Sequence, residues 1–181
     1  NYYLMGKAAW REDGAVAIPA MLRNLFGKAW KDAEAFYGKI EALLDSAGAC
    51  HIPYPYSLFS RTKLAQYDDI RSAAIRLADK AKDSRFRREI VIWTEYLYRF
   101  KELFDRYHRN PAVIEDIENF RTWIHSHRNT RIFVHEKIDM LFNAWIAAIR
   151  AGKPWLHFNL DWEDGYIRAH EAAWKAQSAG K

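Results

Sequence analysis

One apolar repeat in the middle of this 181-residue chain constrains its fold more than any other feature. Apolar side chains recur there at alternating spacings of four and three residues: Phe86, Ile90, Trp93, Leu97, Phe100, Phe104 and Tyr107. That spacing places them along one side of an α-helix about 32 Å long, at 1.5 Å per residue. Ile92, Tyr96 and Leu103 widen the apolar stripe, so we expect this helix to pack against more than one neighbour.

The amino-acid composition also favours helices over strands. Valine and threonine number only four each, whereas alanine, leucine, isoleucine, lysine, arginine and glutamate dominate. No apolar run approaches the roughly 18 residues of a membrane span, so we expect no contact with a membrane. We therefore predict an all-α fold, an antiparallel bundle of seven or eight helices with two aromatic-rich irregular loops. Residues 1–181 are predicted to form a single helical domain.

Turn residues and apolar spacing set the expected boundaries of the helices. Gly27 is expected to cap one helix in a left-handed conformation, Thr62 to cap another, and Asn110 to cap a third with Pro111 at its first position. The predicted helices are Asn1–Arg11, Ala15–Phe26, Lys28–Ala47, about 62–82, the long helix described above, one opened by Pro111, Arg131–Arg150 and Tyr166–Gln177. The two irregular stretches are His51–Ser60, where Pro53 and Pro55 oppose a helix, and Trp155–Gly165.

The net charge of +5 comes from the middle third of the chain. Residues 51–110 hold thirteen basic and eight acidic side chains, whereas the flanking regions are balanced. We expect these cations to lie on two solvated helix faces. The alternative is a basic module that binds nucleic acid or another polyanion, with contacts from Arg85, Arg87, Arg88, Arg106 and Arg109.

Few residues suggest catalytic chemistry. His127, Arg131 and His135 would line one helix face as an anion or metal site, but Asn129 and Thr130 are expected to break that helix. Asp161, Glu163 and Asp164 could pair for glycoside hydrolysis or could begin the last helix, and His125 or His127 could serve a small enzyme. No nucleotide-binding or serine-nucleophile motif occurs, and Cys50 is the single cysteine. We predict no catalytic residue, no metal and no cofactor in this chain.

Aromatic residues make up 15% of the chain, and those in the irregular stretches are the freest to bind a ligand. Three roles stay open for them: core packing, contact with another domain, or stacking on sugar rings or bases. The candidate ligand-binding residues are Tyr54, Tyr56, Phe59, Trp155 and Trp162. Phe158 lies in the same surroundings.

Several segments resemble the helical region that follows the barrel in glycoside-hydrolase-like proteins of domain-of-unknown-function family 4838. These segments are YLMGKAAW (Tyr3–Trp10), LFG (Leu25–Gly27), AEAFYGKIEAL (Ala33–Leu43) and the pair Leu64–Lys82 and Phe86–Phe104. The resemblance covers about two-thirds of the chain. The chain departs from the family pattern with Arg11–Gly14 in place of an Asp-Pro turn and with Leu25-Phe26 in place of Tyr-Tyr.

The resemblance implies that this chain is a non-catalytic accessory domain of a larger carbohydrate-active protein related to α-glucuronidases and hexosaminidases. The domain would pack against a preceding barrel, which would hold the catalytic acids. Expected partners are that barrel, a second copy in a homodimer, and carbohydrate through the parent protein. Nucleic acid and membranes are not expected partners under this interpretation, and the expected location is extracytoplasmic, either periplasmic or secreted.

Overall fold

A computed structural model of the protein describes residues 14–46, 55–130 and 132–152. Within these ranges the regular elements are helices, and no strand is present. The α-helices are α1 (Gly14–Phe26), α2 (Trp30–Ser46), α3 (Pro55–Arg61), α4 (Leu64–Lys80), α5 (Arg87–Arg109), α6 (Ile114–His125) and α7 (His135–Arg150). The prediction of an all-α fold is confirmed for these residues. The predicted helices Asn1–Arg11 and Tyr166–Gln177 lie outside the described ranges, so the total of seven or eight stays a prediction.

The chain divides into two compact units, Asn1–Asp105 and Arg106–Lys181, and the division falls inside α5. Each unit has its own buried side chains. The prediction that residues 1–181 form one domain of a longer protein stays a prediction. Among the described residues, no helix has both the length and the low polarity needed to cross a membrane.

Gly27 connects the first two helices. Its φ is +56°, and residues Gly27–Ala29 form one 3-10 turn before α2 begins at Trp30. A left-handed φ has little energetic cost only for glycine, because the Cβ atom of another residue would come too close to the following carbonyl oxygen. The predicted left-handed cap at Gly27 is therefore confirmed, and it lets α2 pack back against α1.

Helix α2 also packs against α4, and two ion pairs show the direction of the pair. The Lys39 ammonium lies 2.5 Å from the Asp69 carboxylate, and the Lys80 ammonium lies 2.5 Å from the Asp32 carboxylate. Because a residue early in α2 meets one late in α4, and the reverse, the two helices run antiparallel. Both pairs are exposed, so each adds no more than about 1 kcal/mol to stability.

The prediction of an irregular stretch over residues 51–60 is wrong for its second half, because α3 occupies Pro55–Arg61. Proline lacks an N–H and has a fixed φ, and both properties suit the first position of a helix. Pro55 stands at that position and begins the helix that it was expected to prevent. Pro53 lies outside the described residues.

The sequence position of Thr62 predicts that it caps α4, but this prediction is wrong. Lys63 occupies the cap position, and its backbone N–H donates to the Gln66 side-chain oxygen at 2.7 Å. The Thr62 hydroxyl instead donates to the Leu58 carbonyl and lies 2.7 Å from the Tyr67 hydroxyl. Burial raises the pKa of Tyr67, so its hydroxyl stays protonated and donates to Thr62. These bonds satisfy polar groups in the interior of the first unit.

The apolar stripe that the repeat predicts for α5 is buried over only part of its length. In the first unit Ile90, Phe100 and Phe104 are at most 8% exposed, and Ile92 and Leu103 from the widened stripe are also buried. Trp93 and Leu97 are partly exposed. The other large buried side chains of this unit come from α1 to α4: Leu22, Phe26, Phe36, Leu43, Leu58, Phe59, Tyr67, Ile70 and Leu77.

In the second unit α6 and α7 pack against each other. Their contact buries Ile117, Phe120 and Ile124 from α6 and Leu141, Phe142, Trp145 and Ile146 from α7. The Phe120 and Phe142 rings lie 5.7 Å apart, and Tyr107 meets Trp145 edge to face at 5.4 Å. A dry aromatic contact of this kind holds two short helices that would not be stable alone.

Two predicted helix starts in this unit are wrong. Helix α6 begins at Ile114, and Pro111 precedes it. The Asn110 side chain accepts a hydrogen bond from the Ala112 N–H at 3.1 Å, so it stabilises a turn. Helix α7 begins at His135 instead of Arg131. Its predicted end is confirmed, since Gly152 follows α7 with a φ of +64°.

Two glycine substitutions test the backbone of the first unit. No heavy atom would lie within 4 Å of a new Cβ at Gly27 or at Gly38, which is inside α2. The two substitutions therefore differ only in the backbone conformation that the new side chain must adopt. We expect Gly27→Ala to lower the free energy of unfolding by about 1–2 kcal/mol. Gly38→Ala should raise it by about 0.5–1 kcal/mol. Urea denaturation of both variants checks this, and an equal effect of the two would contradict the left-handed cap.

Candidate functional site

The predicted aromatic ligand platform is only partly within the described residues. Tyr54, Trp155 and Trp162 lie outside them, and so do Phe158, Cys50 and the acidic residues Asp161, Glu163 and Asp164. Tyr56 is in α3, whose backbone alone is described at that position.

Phe59 is the one candidate whose side chain the structure places, and it is 3% exposed. Its ring stacks on Tyr67 at 5.6 Å and on Phe100 at 4.9 Å, and lies 5.9 Å from Phe104. These contacts join α3, α4 and α5 inside the first unit. Because only 3% of Phe59 is exposed, this side chain offers no surface to a sugar or a base.

The predicted basic contacts fall into two groups. Arg106 is bonded to the Asp116 carboxylate at 2.7 Å, so its charge is neutralised locally. Arg109, at the end of α5, also has a partner. Arg85, Arg87 and Arg88 are exposed at the start of α5, and no ion pair engages them among the described residues.

The histidines bring together the most concentrated set of polar side chains in the described part of the second unit. The turn at residues 126–130 ends α6, as Asn129 and Thr130 predict, so His127 and His135 do not share a helix face. Arg131 is outside the described residues. The turn instead places His125, in the last turn of α6, beside His135 at the start of α7, with ring centroids 5.1 Å apart.

His125 is hydrogen-bonded through both ring nitrogens. Its Nε2 lies 2.8 Å from the Asp139 carboxylate, and its Nδ1 accepts from the Arg128 guanidinium at 3.0 Å. Because Nδ1 accepts, the proton of the neutral ring is on Nε2, which donates to Asp139. The arrangement resembles the carboxylate–histidine pair of general-base catalysis. However, the nitrogen that would receive a substrate proton already accepts from Arg128.

Arg121 supports the same carboxylate from one turn earlier in α6. Its Nε lies 3.8 Å from Asp139, while its other nitrogens reach Asn143 at 2.8 Å and Glu118 at 3.5 Å. The guanidinium also lies 5.9 Å from the Phe142 ring. These contacts run from residues 121 and 125 to residues 143 and 139, so α6 and α7 are antiparallel. The cluster therefore fixes the register of this helix pair.

His135 differs from its neighbour, because both of its ring nitrogens are closed to solvent and have no hydrogen-bond partner among the described residues. Burial lowers the pKa of His135, nearby His125 and Arg128 lower it further, and Asp139 acts in the opposite direction. The neutral imidazole is therefore the form that the folded protein favours.

His127 has a separate structural role. Its Nδ1 lies 2.8 Å from the Trp123 carbonyl, to which it donates, and its ring lies 4.5 Å from the Trp123 ring. This bond satisfies a carbonyl near the end of α6 that no later helical N–H reaches.

Sequence reasoning missed the pairing of His125 with Asp139. Fourteen residues and a turn separate them, so no helical spacing connects the two positions. The positions of the two residues could have predicted the contact. His125 is at the end of α6 and Asp139 is in the first turns of α7, and such positions meet when two helices form a hairpin.

The side chains of this cluster are held by hydrogen bonds and ion pairs. No group of three or more histidine, cysteine, aspartate or glutamate side chains in these ranges is arranged to hold a metal ion. No family model matches the chain, and no curated protein or solved structure matches it either.

His135 predicts how stability changes with pH. Its pKa is lower in the folded protein than in the unfolded chain, which therefore binds more protons as the pH falls through about 6.5. We expect the free energy of unfolding to be lower at pH 5.5 than at pH 7.5. His135→Phe keeps a ring beside His125, breaks no hydrogen bond, and should reduce this difference. Urea titrations at the two pH values measure it.

A matched control changes a side chain on the same helix without removing a titratable group. Met140 is 51% exposed on α7, and Met140→Leu should retain the pH difference of the wild type. If His135→Phe retains the full difference, His135 is not its source.

Proposed function

We propose that this chain is a non-catalytic helical accessory domain of a larger carbohydrate-active protein that resembles glycoside hydrolases. In this proposal it packs against a preceding barrel domain, supports the carbohydrate cleft of that barrel, and forms an antiparallel bundle of seven or eight helices with two aromatic-rich loops. The parent protein would be exported, and a second copy of the chain could complete a homodimer.

The observation that supports the proposal is the position, in the first unit, of the segments that resemble the glycoside-hydrolase-like family. Leu25–Gly27 ends α1 and makes the turn into α2, and Ala33–Leu43 forms the buried side of α2 through Ala33, Phe36 and Leu43. Leu64–Lys82 and Phe86–Phe104 provide α4 and most of α5. The segments that resemble the family pattern and lie in the described residues therefore contribute to the helical core, which is what a packing domain requires.

The state of the polar side chains supports the same function. His125 uses both ring nitrogens on Asp139 and Arg128, and His127 is bonded to a backbone carbonyl. A general base needs a nitrogen or carboxylate oxygen that can reach a substrate proton. These groups instead connect α6, α7 and the turn between them, as expected for side chains that stabilise a scaffold.

The parent protein gives the direct test. The coding sequence upstream of the Asn1 codon should encode a barrel, and the full protein should turn over an aryl glycoside. The 181-residue chain alone should show no turnover. In the full protein, Asp139→Asn should leave kcat unchanged at a temperature where the protein is folded, because Asp139 lies outside the proposed catalytic barrel.

Two outcomes would overturn the proposal. One is turnover by the chain alone that persists after repurification and falls in Asp139→Asn. The other is a start codon immediately upstream of Asn1, which would make the chain a free-standing protein.

A further inference from the structure

Seven residues at the junction of α4 and α5 form the most basic short stretch in the described chain. Residues 82–88, here called the basic segment, contain Lys82, Arg85, Arg87 and Arg88 against one acidic side chain, Asp83. Four positive charges against one negative charge leave a net charge of +3. Its first five residues form the connection between the helices, and Arg87 and Arg88 open α5.

The backbone of the basic segment is held by Ser84, which is buried. The Ser84 N–H donates to the Ala81 carbonyl at 2.9 Å, and the Ser84 hydroxyl accepts from the Phe86 N–H at 3.3 Å. The Ser84 carbonyl then accepts from the Arg87 N–H at 3.3 Å. The turn is thus fixed from inside, so a ligand would not have to order it.

The four cations are exposed, and none forms an ion pair with a described residue. Arg85 lies over the Phe86 ring at 4.7 Å, which leaves its N–H donors available. Nearby cations of the same unit behave differently. Lys80 is paired with Asp32, and Arg71 and Arg99 are both paired with Glu95.

Folding alone does not account for cations at this place. The first turn of a helix carries a partial positive charge, which favours aspartate and glutamate and disfavours arginine. Arg87 and Arg88 occupy the first turn of α5, where Glu89 is the only acidic residue. Side chains that oppose the local electrostatics without a compensating contact are expected at functional positions.

We propose that the basic segment binds the phosphate groups of a nucleic-acid strand. Three of the four cations are arginines, whose planar guanidinium groups donate two parallel hydrogen bonds to a phosphate. Nucleic acid presents its charges only a few ångströms apart, so four cations within seven residues can each meet one. Arg106 is excluded from this surface because it is bonded to Asp116. Nucleic acid is not an expected partner of the exported accessory domain proposed above, so this binding is an alternative to that role and is tested separately.

Fluorescence anisotropy with a labelled 20-nucleotide oligothymidine tests the proposal on the full 181-residue chain. Four phosphate contacts with a single strand predict a slope of log K against log salt of about −3. Raising the salt from 50 to 200 mM should then weaken binding about 50-fold. A variant with Lys82, Arg85, Arg87 and Arg88 all changed to Gln should bind at least ten times more weakly than wild type at 50 mM salt.

The matched control removes the same charge elsewhere. Lys28, Arg76, Lys137 and Arg150 are also exposed, and changing all four to Gln should leave affinity within a factor of about three of wild type. A melting curve of the basic-segment variant supplies a second readout. Its melting temperature should not fall, because the substitutions remove charges that oppose the start of α5.

Three outcomes would overturn the proposal. The first is no binding at 50 mM salt, and the second is an equal loss of affinity in both four-fold variants, which would indicate a response to net charge alone. The third is competition by a carboxylated polysaccharide at the same charge concentration that is as strong as competition by unlabelled oligothymidine. That result would assign the surface to acidic sugars.

Discussion

The first unit depends on one aromatic stack centred on Phe59. This ring stacks on Tyr67 and on Phe100 and lies close to Phe104, so a single side chain of the short helix α3 contacts both α4 and α5. A helix of seven residues has little stability of its own, and its position has to come from such contacts. The neighbouring bonds of Thr62 to the Leu58 carbonyl and the Tyr67 hydroxyl fix the turn that follows. Core packing and the path of the chain are thus determined together.

The second unit shows that residues typical of catalysis can serve a packing role. His125 and Asp139 have the geometry of a catalytic pair, yet Arg128 occupies the remaining nitrogen and Arg121 supports the carboxylate. A partly buried carboxylate is stable only with partners of this kind. The cluster sets the register of α6 against α7. The exposed cations of the basic segment are the contrasting case, since their charges have no partner in the described chain.

How much the sequence predicts depends on the range of the interaction. The spacing of apolar residues is set within one helix, so it predicted α5 and the part of its stripe that is buried. Glycines predicted the end of α1 before Gly27 and the end of α7 before Gly152. The predicted start of α2 at Lys28 was wrong by two residues, because a 3-10 turn over Gly27–Ala29 precedes the helix. The role of each proline could not be predicted from its residue type. Pro55 is the first residue of α3, whereas Pro111 lies before the start of α6. Thr62 was misassigned because a buried Tyr67 competes for its hydroxyl. The meeting of His125 with Asp139 requires tertiary structure, and no local pattern encodes it.

The central claim is that Phe59 and the rings packed against it form the core of the first unit, so that Phe59 does not present a ligand platform. Its most direct measurement is the free energy of unfolding of Phe59→Ala, with Ile75→Ala, whose side chain on α4 is 46% exposed, as the control. The account predicts a loss of about 3–5 kcal/mol for Phe59→Ala, and Phe59→Leu gives a smaller, measurable loss if that variant does not fold. Ile75→Ala should cost less than about 1 kcal/mol. A loss below about 1 kcal/mol for Phe59→Ala would contradict the account.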